Sequence, residues 1–471
     1  MKRPRAQSIQ ASANGYGQLT LVEHSLCPLD SAVSLAENLI HDVSYAFTDR
    51  NRHAQSAHAK VYCPLGLSAH DEFFLWGLLS LAVNQPSPDR EFYATPHYCL
   101  RRLGMIDQDR RRGGRQYQRF LESLKRLSAV TYQNDRFYDP VRAEHRQVSF
   151  GFFSFNLPTD PESNRAWRIS WNPLFFEFVL ATAGGLRFDL GIYRSLEPAS
   201  RRLFLLLSKI FLRRAVSPRF ALHNLACDVL GFSTTISTAD LKKKVRQCID
   251  RLASREIVAV QSAQSLFEKD GVGKYHVTIE RGAYFNRSYS ASGPSIAESA
   301  LFDSLTAIGF ESPAAHRTIK QYPAPVLREW VDITLAARER FGKSFFRKSA
   351  AAYFVDNVRQ ATQQGRRPPD WWLELRKNEA RVQAEKHRAR RASETPGLAA
   401  RPPASDDLLQ RVGDELFRDL VAAGQDAREA RKNADRFAAE HVRRRKQSAG
   451  TSKLSLLPSL SCWLGLSRSN S

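Results

Sequence analysis

The segment GRQYQRFLESLKRLSAVTYQ, residues 114–133, changes its hydrophobic period at Leu127. Before that residue, Tyr117, Phe120 and Leu124 recur at helical spacing, opposite a row of arginines and glutamines. After it, apolar residues alternate with polar ones, which is typical of a β-strand. The segment therefore predicts a basic amphipathic helix that leads directly into strands.

Two further helices are predicted upstream of this basic helix. Ser68 and Asp71 have the spacing of a capping box, at the start of a segment with a wide apolar face. Thr95-Pro96 is a second helix start, an N-cap followed by proline at the first helical position. That second helix is short and is expected to end near Gly104.

The strands that follow the basic helix are predicted to extend as far as Trp171. Polar and proline-containing stretches interrupt the alternation at Asn134-Asp135 and over residues 158–164, so turns are expected at both places. The first half of the chain therefore has the order helix, short helix, basic helix and hairpin, which is the order of a winged helix.

The same order recurs in the second half of the chain. An apolar helix over residues 203–211 precedes a short helix, and Gly231 stands where a C′ glycine would end that helix. Ser237 and Asp240 begin a second basic helix. Its end, IDRLASREIVAVQ, parallels LKRLSAVTYQ at the end of the first basic helix. Strands over 257–260 and 275–279 are expected to flank a turn near Asp270-Gly271.

These patterns predict a mainly α, α+β fold with two tandem winged-helix domains, a small helical region and a basic, partly disordered tail. Compact structure is expected to start at a strand over 60–62, so a fragment from residue 60 to 281 should fold alone. The predicted divisions are a weakly ordered arm with one helix over 31–47 (1–57), winged-helix domains (58–175 and 176–285), a helical module (295–384) and the tail (385–471).

The charge balance of the chain is strongly basic. Of its 471 residues, 70 are Lys or Arg and 48 are Asp or Glu, which gives a formal net charge of +22. Such a surplus attracts polyanions, namely DNA, RNA or an anionic membrane surface. Both basic helices use their apolar faces for cores, so nucleic acid is the better partner. No apolar run is long enough for a membrane span or a signal peptide, and a cytoplasmic protein is expected.

The sequence contains no complete signature of catalysis or of metal binding. The six cysteines have no CxxC spacing and no matching histidine pair, so they are expected to be reduced thiols. The GVGK sequence at 271–274 lacks the full phosphate-binding loop. His70, Asp71 and Glu72 lie at a helix start, where acidic residues suit the helix dipole, and are interpreted as caps. The chain is expected to have no enzymatic activity, no metal and no cofactor.

Each basic helix offers side chains that could read or grip DNA. A charged face on one helix is most often solvated surface, but the same face at the same position in both repeats favours DNA. Arginine suits guanine edges in the major groove, whereas lysine suits phosphate. The candidate DNA-binding residues are Arg110, Arg111, Arg112, Arg115, Gln116, Gln118, Arg119, Arg126, Lys242, Lys243, Lys244, Arg246, Gln247 and Arg251.

Three segments resemble the plasmid and phage replication initiator family called replication initiator protein A. They are SAHDEFFLWGLLSLA (68–82), GGRQYQRFLESLKRLSAVTY (113–132) and above all FDLGIYRSLEPASRRLFLLLSKI (188–210). The last resembles the family's join between domains, and the resemblance spans roughly residues 60–280. It implies two winged helices that bind repeated double-stranded origin sites, promote local opening and recruit the host initiator and replicative helicase. It also implies repression of the protein's own promoter as a homodimer.

Two other functions remain compatible with the same sequence. A winged-helix transcriptional regulator would share the DNA-binding class, but two winged helices followed by a helical module favour an initiator. A helicase-loading or scaffold protein would use the winged helices for protein contacts, and its basic faces would be incidental.

Overall fold

The computed structural model describes residues 14–48, 53–106, 114–158, 160, 163–182, 184–286 and 299–393, and isolated positions between 426 and 436. The chain divides into two units, residues 1–385 and 386–471. The fold of the first unit is mixed α+β and mainly helical, as the sequence predicts. No helix among the described residues is long and apolar enough to cross a membrane.

The first half of the described chain contains eight named strands and four helices. Their bounds are β1 (Asn14–Gln18), α1 (Ser31–Ser34), β2 (Leu39–Thr48), β3 (Ala54–Cys63), α2 (Ala69–Val83), β4 (Glu91–Ala94), α3 (Pro96–Arg102), α4 (Gly114–Ser128), β5 (Thr131–Asp139), β6 (Glu144–Phe150), β7 (Phe153–Asn156) and β8 (Trp167–Trp171).

The second half is richer in helix. Its elements are α5 (Pro173–Leu180), β9 (Gly185–Asp189), α6 (Leu190–Ser195), α7 (Pro198–Phe211), β10 (Phe220–Ala221), α8 (Leu222–Asn224), α9 (Thr238–Ala253), α10 (Ala263–Leu266), β11 (Phe267–Gly271), β12 (Lys274–Val277), α11 (Ala300–Ala307), α12 (Ser312–Gln321), α13 (Ala324–Phe341), α14 (Ala350–Gln364) and α15 (Asp370–Ser393).

The predicted order of three helices and a hairpin is present in both halves. In the first repeat, α2, α3 and α4 precede the antiparallel pair β7–β8, and β4 joins that pair in the order β4-β8-β7. In the second repeat, α7, the short helical segment 222–229 and α9 precede β11–β12, and β10 joins them in the order β10-β12-β11. The short first strand therefore pairs with the last strand of the hairpin in each repeat.

One predicted turn and one predicted strand differ in the structure. Strand β5 continues through Asn134-Asp135 with an irregular register and turns only after Asp139. Those polar residues are satisfied inside the sheet, because the Asn134 amide donates to the Tyr132 hydroxyl at 2.6 Å and Asp135 accepts from the His58 amide at 2.8 Å. In the second repeat the hairpin strands are β11 and β12, and residues 257–260 form only an isolated bridge at Val258.

The prediction of a weakly ordered arm over residues 1–57 is wrong for residues 14–48. Strand β1 pairs with β9, and β2 pairs with β3 along its whole length in the four-stranded sheet β2-β3-β5-β6. The predicted helix over 31–47 is replaced by the four residues of α1 and by β2. Leu21, Leu26 and Val43 are buried, so this segment is part of the core.

One hydrophobic core runs through both repeats. Buried side chains from Leu21 to Ala300 form a single cluster, so the predicted division at 175/176 separates two repeats and not two cores. The helical module has its own core, centred on Leu327, Trp330 and Phe354. The predictions for residues 385–471 lie almost wholly outside the described residues, apart from the end of α15 at Ser393.

A buried ion pair joins the first helices of the two repeats. Arg202 on α7 donates to both carboxylate oxygens of Glu72 on α2, at 2.9 and 2.6 Å, and both side chains are 6% exposed. The remaining Arg202 nitrogen donates to the Leu230 carbonyl oxygen at 2.7 Å, and Glu72 also accepts from the Leu26 amide at 3.1 Å. The pair thus binds the N-terminal segment, the first repeat and the second repeat together.

Gly231 is required beside this ion pair. Its φ of +82° confirms the predicted C′ glycine, since that region strains other residues. A Cβ at this position would also lie 2.1 Å from an Arg202 nitrogen. The glycine therefore both ends the short helix and leaves space for the guanidinium.

We expect a chain that begins at residue 60 to be insoluble or unfolded, whereas a chain that begins at residue 14 folds. The shorter chain loses Leu21, Leu26, Leu39 and Val43, each of which is buried. Burying one such side chain contributes about 1.5–3 kcal/mol, and the total stability of a domain is about 5–15 kcal/mol. Circular dichroism and thermal unfolding of the two chains test this, and a cooperative transition in the shorter chain would contradict it.

We expect Arg202→Ala to lower the free energy of unfolding by about 3–5 kcal/mol, because Glu72 would be left as a buried, unpaired charge. Arg246→Ala is the matched control, since Arg246 forms a partly exposed i,i+4 pair with Asp250 that contributes about 0.2–0.5 kcal/mol. Urea unfolding of both variants measures the difference. Equal midpoints would show that the buried pair adds nothing to stability.

Candidate nucleic-acid interface

Helix α4 packs its apolar face into the first repeat and leaves its basic face outward. Phe120 and Leu124 are fully buried, and the ring of Phe120 lies 5.1 Å from that of Phe74 on α2. The Tyr117 hydroxyl is 2.8 Å from Nδ1 of His97, which ties α4 to α3. These contacts fix which side of α4 faces solvent.

The exposed face of α4 presents two free arginines. Arg115 and Arg119 are exposed, and no described carboxylate pairs with either. Gln118 is also exposed but donates to Glu122 at 2.8 Å, and Gln116 is half-buried with a side-chain oxygen that has no partner. Arg115 and Arg119 are therefore the residues of α4 best placed to reach a ligand.

Arg126 is a correction to the predicted set of DNA contacts. Its guanidinium donates to both carboxylate oxygens of Asp71, at 2.8 Å each, and Ser123 on the same helix donates to Asp71 at 2.5 Å. Asp71 is fully buried and also completes the capping box with Ser68. The neighbouring carboxylate raises the pKa of Arg126. Arg126 thus joins α4 to the start of α2, and its Nε and Nη2 groups already donate to Asp71.

Helix α9 has the corresponding position in the second repeat. Leu241, Val245 and Ile249 are buried, while Lys243 and Gln247 are exposed and pair with no described residue. These two residues are the free polar groups on the outer face of α9.

Two other lysines of α9 lie against aromatic rings. The Lys242 ammonium lies 4.4 Å from the Tyr275 ring centroid and 5.0 Å from that of Phe267, on the two strands of the hairpin. Lys244 lies 5.5 Å from the ring of Phe232. An ammonium over a ring keeps its charge and its donors, so both lysines can still attract phosphate.

Arg246 and Arg251 are two further predicted DNA contacts that pair with carboxylates of the protein. Arg246 pairs with Asp250 on its own helix at 2.8 Å, and Arg251 pairs with Glu197 immediately before α7. The i,i+4 spacing of Arg246 and Asp250 is visible in the sequence, whereas the Glu197 pair depends on the packing of two helices. Arg110, Arg111 and Arg112 lie outside the described residues.

The two hairpins have different surroundings. In the first repeat the loop after β7 is held by the helical module: Arg165 donates to Asp332 at 2.8 Å and also pairs with Glu379, and Asn164 donates to Glu339 at 2.7 Å. In the second repeat the turn between β11 and β12 is open, and Val272 is 97% exposed. Among the described residues of the two loops, only the turn of the second hairpin is open.

The sequence did not indicate two cations on that open hairpin. Lys269 and Lys274 are exposed and lie on β11 and β12, and they pair with no carboxylate among the described residues. The alternation of β11 is weak because four of its five residues are polar or glycine, so periodicity did not identify the strand.

The residues usually associated with metal-dependent chemistry do not converge in the described part of the chain. No group of three or more His, Cys, Asp or Glu side chains there could hold a metal ion. The five described cysteines are buried and form no disulfide.

No family model matches the chain, and no curated protein matches it. Among solved structures, the chain is similar to a crystal structure of selenomethionine derivatives of domains 2 and 3 of RctB. That similarity covers 55% of this chain and 99% of the other chain, with 15% sequence identity and a TM-score of 0.36. A functional proposal must therefore rest on the residues and contacts of this chain.

We expect Arg126→Ala to lower the free energy of unfolding by about 2–3 kcal/mol, because a fully buried carboxylate loses two charge-assisted hydrogen bonds. Arg119→Ala on the exposed face of the same helix should change it by less than about 0.5 kcal/mol. Urea unfolding compares the two variants. A similar small effect for both would place Arg126 among the surface arginines after all.

Proposed function

We propose that this chain is a replication initiator that binds repeated double-stranded DNA sites at a plasmid or phage-like origin through two winged helices. In this proposal the bound protein promotes opening of the origin and recruits host replication proteins, and it acts without catalysis and without a cofactor. The observation that carries the proposal is the repetition of one arrangement: in both repeats the third helix buries its apolar face and presents unpaired polar side chains outward.

The exposed side chains of the two helices differ in chemistry and suit different contacts with DNA. Arg119 lies in the middle of α4, where a guanidinium can donate two hydrogen bonds to O6 and N7 of guanine in the major groove. Lys243 lies in the second turn of α9, close to the helix N-terminus whose amides favour an anion, and an ammonium serves as a point charge for phosphate. The first repeat would therefore read sequence more than the second.

The surroundings of the hairpins refine the proposal. The described part of the first hairpin's loop is engaged by Glu339, Asp332 and Glu379 of the helical module, and we assign it no DNA contact. The second hairpin carries Lys269 and Lys274 beside a fully open turn and would follow the phosphate backbone. The duplex would thus be contacted by α4, by α9 and by one hairpin.

We expect Arg119→Ala to weaken binding to the cognate repeat by about 1–3 kcal/mol, that is about 5- to 150-fold, and to leave binding to random duplex nearly unchanged. Lys243→Ala should weaken both duplexes alike and lower the slope of log affinity against log salt by about 0.9. Lys320→Ala, an exposed lysine of the helical module, is the control and should change neither.

The cognate repeat is found first by selecting bound fragments from random duplex DNA with the full chain. Anisotropy titrations of the three variants at two salt concentrations then give both affinities and slopes. Equal loss on cognate and random duplex for Arg119→Ala would remove its base-reading role. Failure of the full chain to select any sequence would remove the initiator proposal.

A further inference from the structure

The helical module carries a chain of aromatic rings at its surface. The rings of Phe341 and Phe345 are stacked, with centroids 5.1 Å apart and planes inclined by 17°. Trp371 lies edge-on to Phe341 at 5.2 Å, and Tyr353 lies 5.6 Å from Phe345. Phe346 contacts the rings of Phe345 and Tyr353, at 5.3 and 5.5 Å. We name these five residues the aromatic surface.

A left-handed glycine brings the central pair together. Helix α13 ends at Phe341, and Gly342 follows with a φ of +76°, a conformation that a side chain would strain. The chain reverses there and returns Phe345 onto Phe341. The turn at Gly342 thus sets the position of the ring pair, because Phe345 belongs to neither α13 nor α14.

The aromatic surface is not a hidden part of the core. Phe341 and Phe345 are 39% and 37% exposed, and they are the only phenylalanines of the described residues that are exposed to this extent. Neither they nor Phe346 belong to the core cluster of the helical module, although Tyr353 and Trp371 border it. Burial in the core of the helical module therefore does not explain the presence of Phe341, Phe345 and Phe346.

One cation contacts the rings, and others lie close to them in the sequence. The Arg340 guanidinium lies 5.2 Å from the Phe341 centroid and 5.9 Å from that of Trp371. Lys343, Arg347, Lys348 and Arg367 are exposed close by in the sequence, and none of them pairs with a carboxylate among the described residues. The one acidic residue of the segment 338–348, Glu339, is already bound by Ser163 and Asn164. The surface thus combines exposed aromatic rings with an excess of cations over acidic residues in segment 338–348.

We propose that the aromatic surface binds single-stranded DNA. Unpaired bases offer faces that stack on aromatic rings, and the phosphates between them require cations, so both components of the surface are complementary to a single strand. In a duplex the base faces are stacked on one another and cannot reach the rings. The surface is separate from α4 and α9, and it would hold a strand released when an origin opens.

The test uses the full chain and a fluorescently labelled 20-nucleotide oligo(dT), with binding followed by anisotropy. Stacking of one base on an aromatic ring contributes about 5- to 150-fold in affinity. Phe341→Ala with Phe345→Ala should therefore weaken oligo(dT) binding at least tenfold and leave binding to the cognate duplex within twofold of the parent. Lys343→Gln should lower the salt slope by about 0.7, the value for one phosphate of a single strand.

Two control variants separate stacking from folding. Val355→Ala removes an exposed apolar side chain of α14 in the same module and should leave oligo(dT) binding within twofold. Phe345→Leu keeps apolar bulk but removes the ring, so it should weaken binding even if the double alanine variant fails to fold. Circular dichroism establishes which variants are folded.

The proposal is overturned if the phenylalanine variants bind oligo(dT) as the parent does, or if they lose duplex and single strand equally. Tighter binding of oligo(rU) than of oligo(dT) would make the occupant RNA and would overturn it too. Binding of oligo(dT) that depends on these rings, in a chain that selects no duplex, would support this surface while removing the initiator proposal.

Discussion

The ion pair between Arg202 and Glu72 is the contact on which the arrangement of the two repeats depends. Two charges removed from water are costly unless their hydrogen bonds are complete, and here the Leu26 amide and the Leu230 carbonyl complete them. The pair and its two partners come from three separate parts of the chain. A change in the relative position of any of them would leave a buried charge unsatisfied, so the pair specifies one orientation of α2 against α7.

Some cations of the chain pair with carboxylates of the protein, and others are free to bind a ligand. On the two basic helices, Arg126, Arg246 and Arg251 are bound by carboxylates, whereas Arg119 and Lys243 are free. Net charge and helical periodicity do not distinguish these groups, because both place a cation on the polar side of a helix. The acidic residues that lie beside each cation, on the same helix or on another element, decide which of these cations a polyanion can reach.

Local signals predicted the helices well, and non-local pairing explains the errors. The capping box at Ser68 and the glycine at Gly231 lie where the sequence placed them, because each depends on neighbours within one turn. Strand β2 gains its stability from pairing with β3, and its own pattern resembles an amphipathic helix. The Asp71–Arg126 pair spans 55 residues, and the aromatic surface depends on a turn. No local sequence pattern predicts the Asp71–Arg126 pair or the aromatic surface.

Arg165 links the loop of the first hairpin to two helices of the module, through Asp332 on α13 and Glu379 on α15. With 3% of its side chain exposed, this arginine cannot be replaced alone without leaving two carboxylates facing each other. Substitutions at Arg165, Asp332 and Glu379 are therefore expected to occur together. Across homologous chains the hairpin loop and the helical module should vary as one inherited block, even though some two hundred residues separate them in sequence.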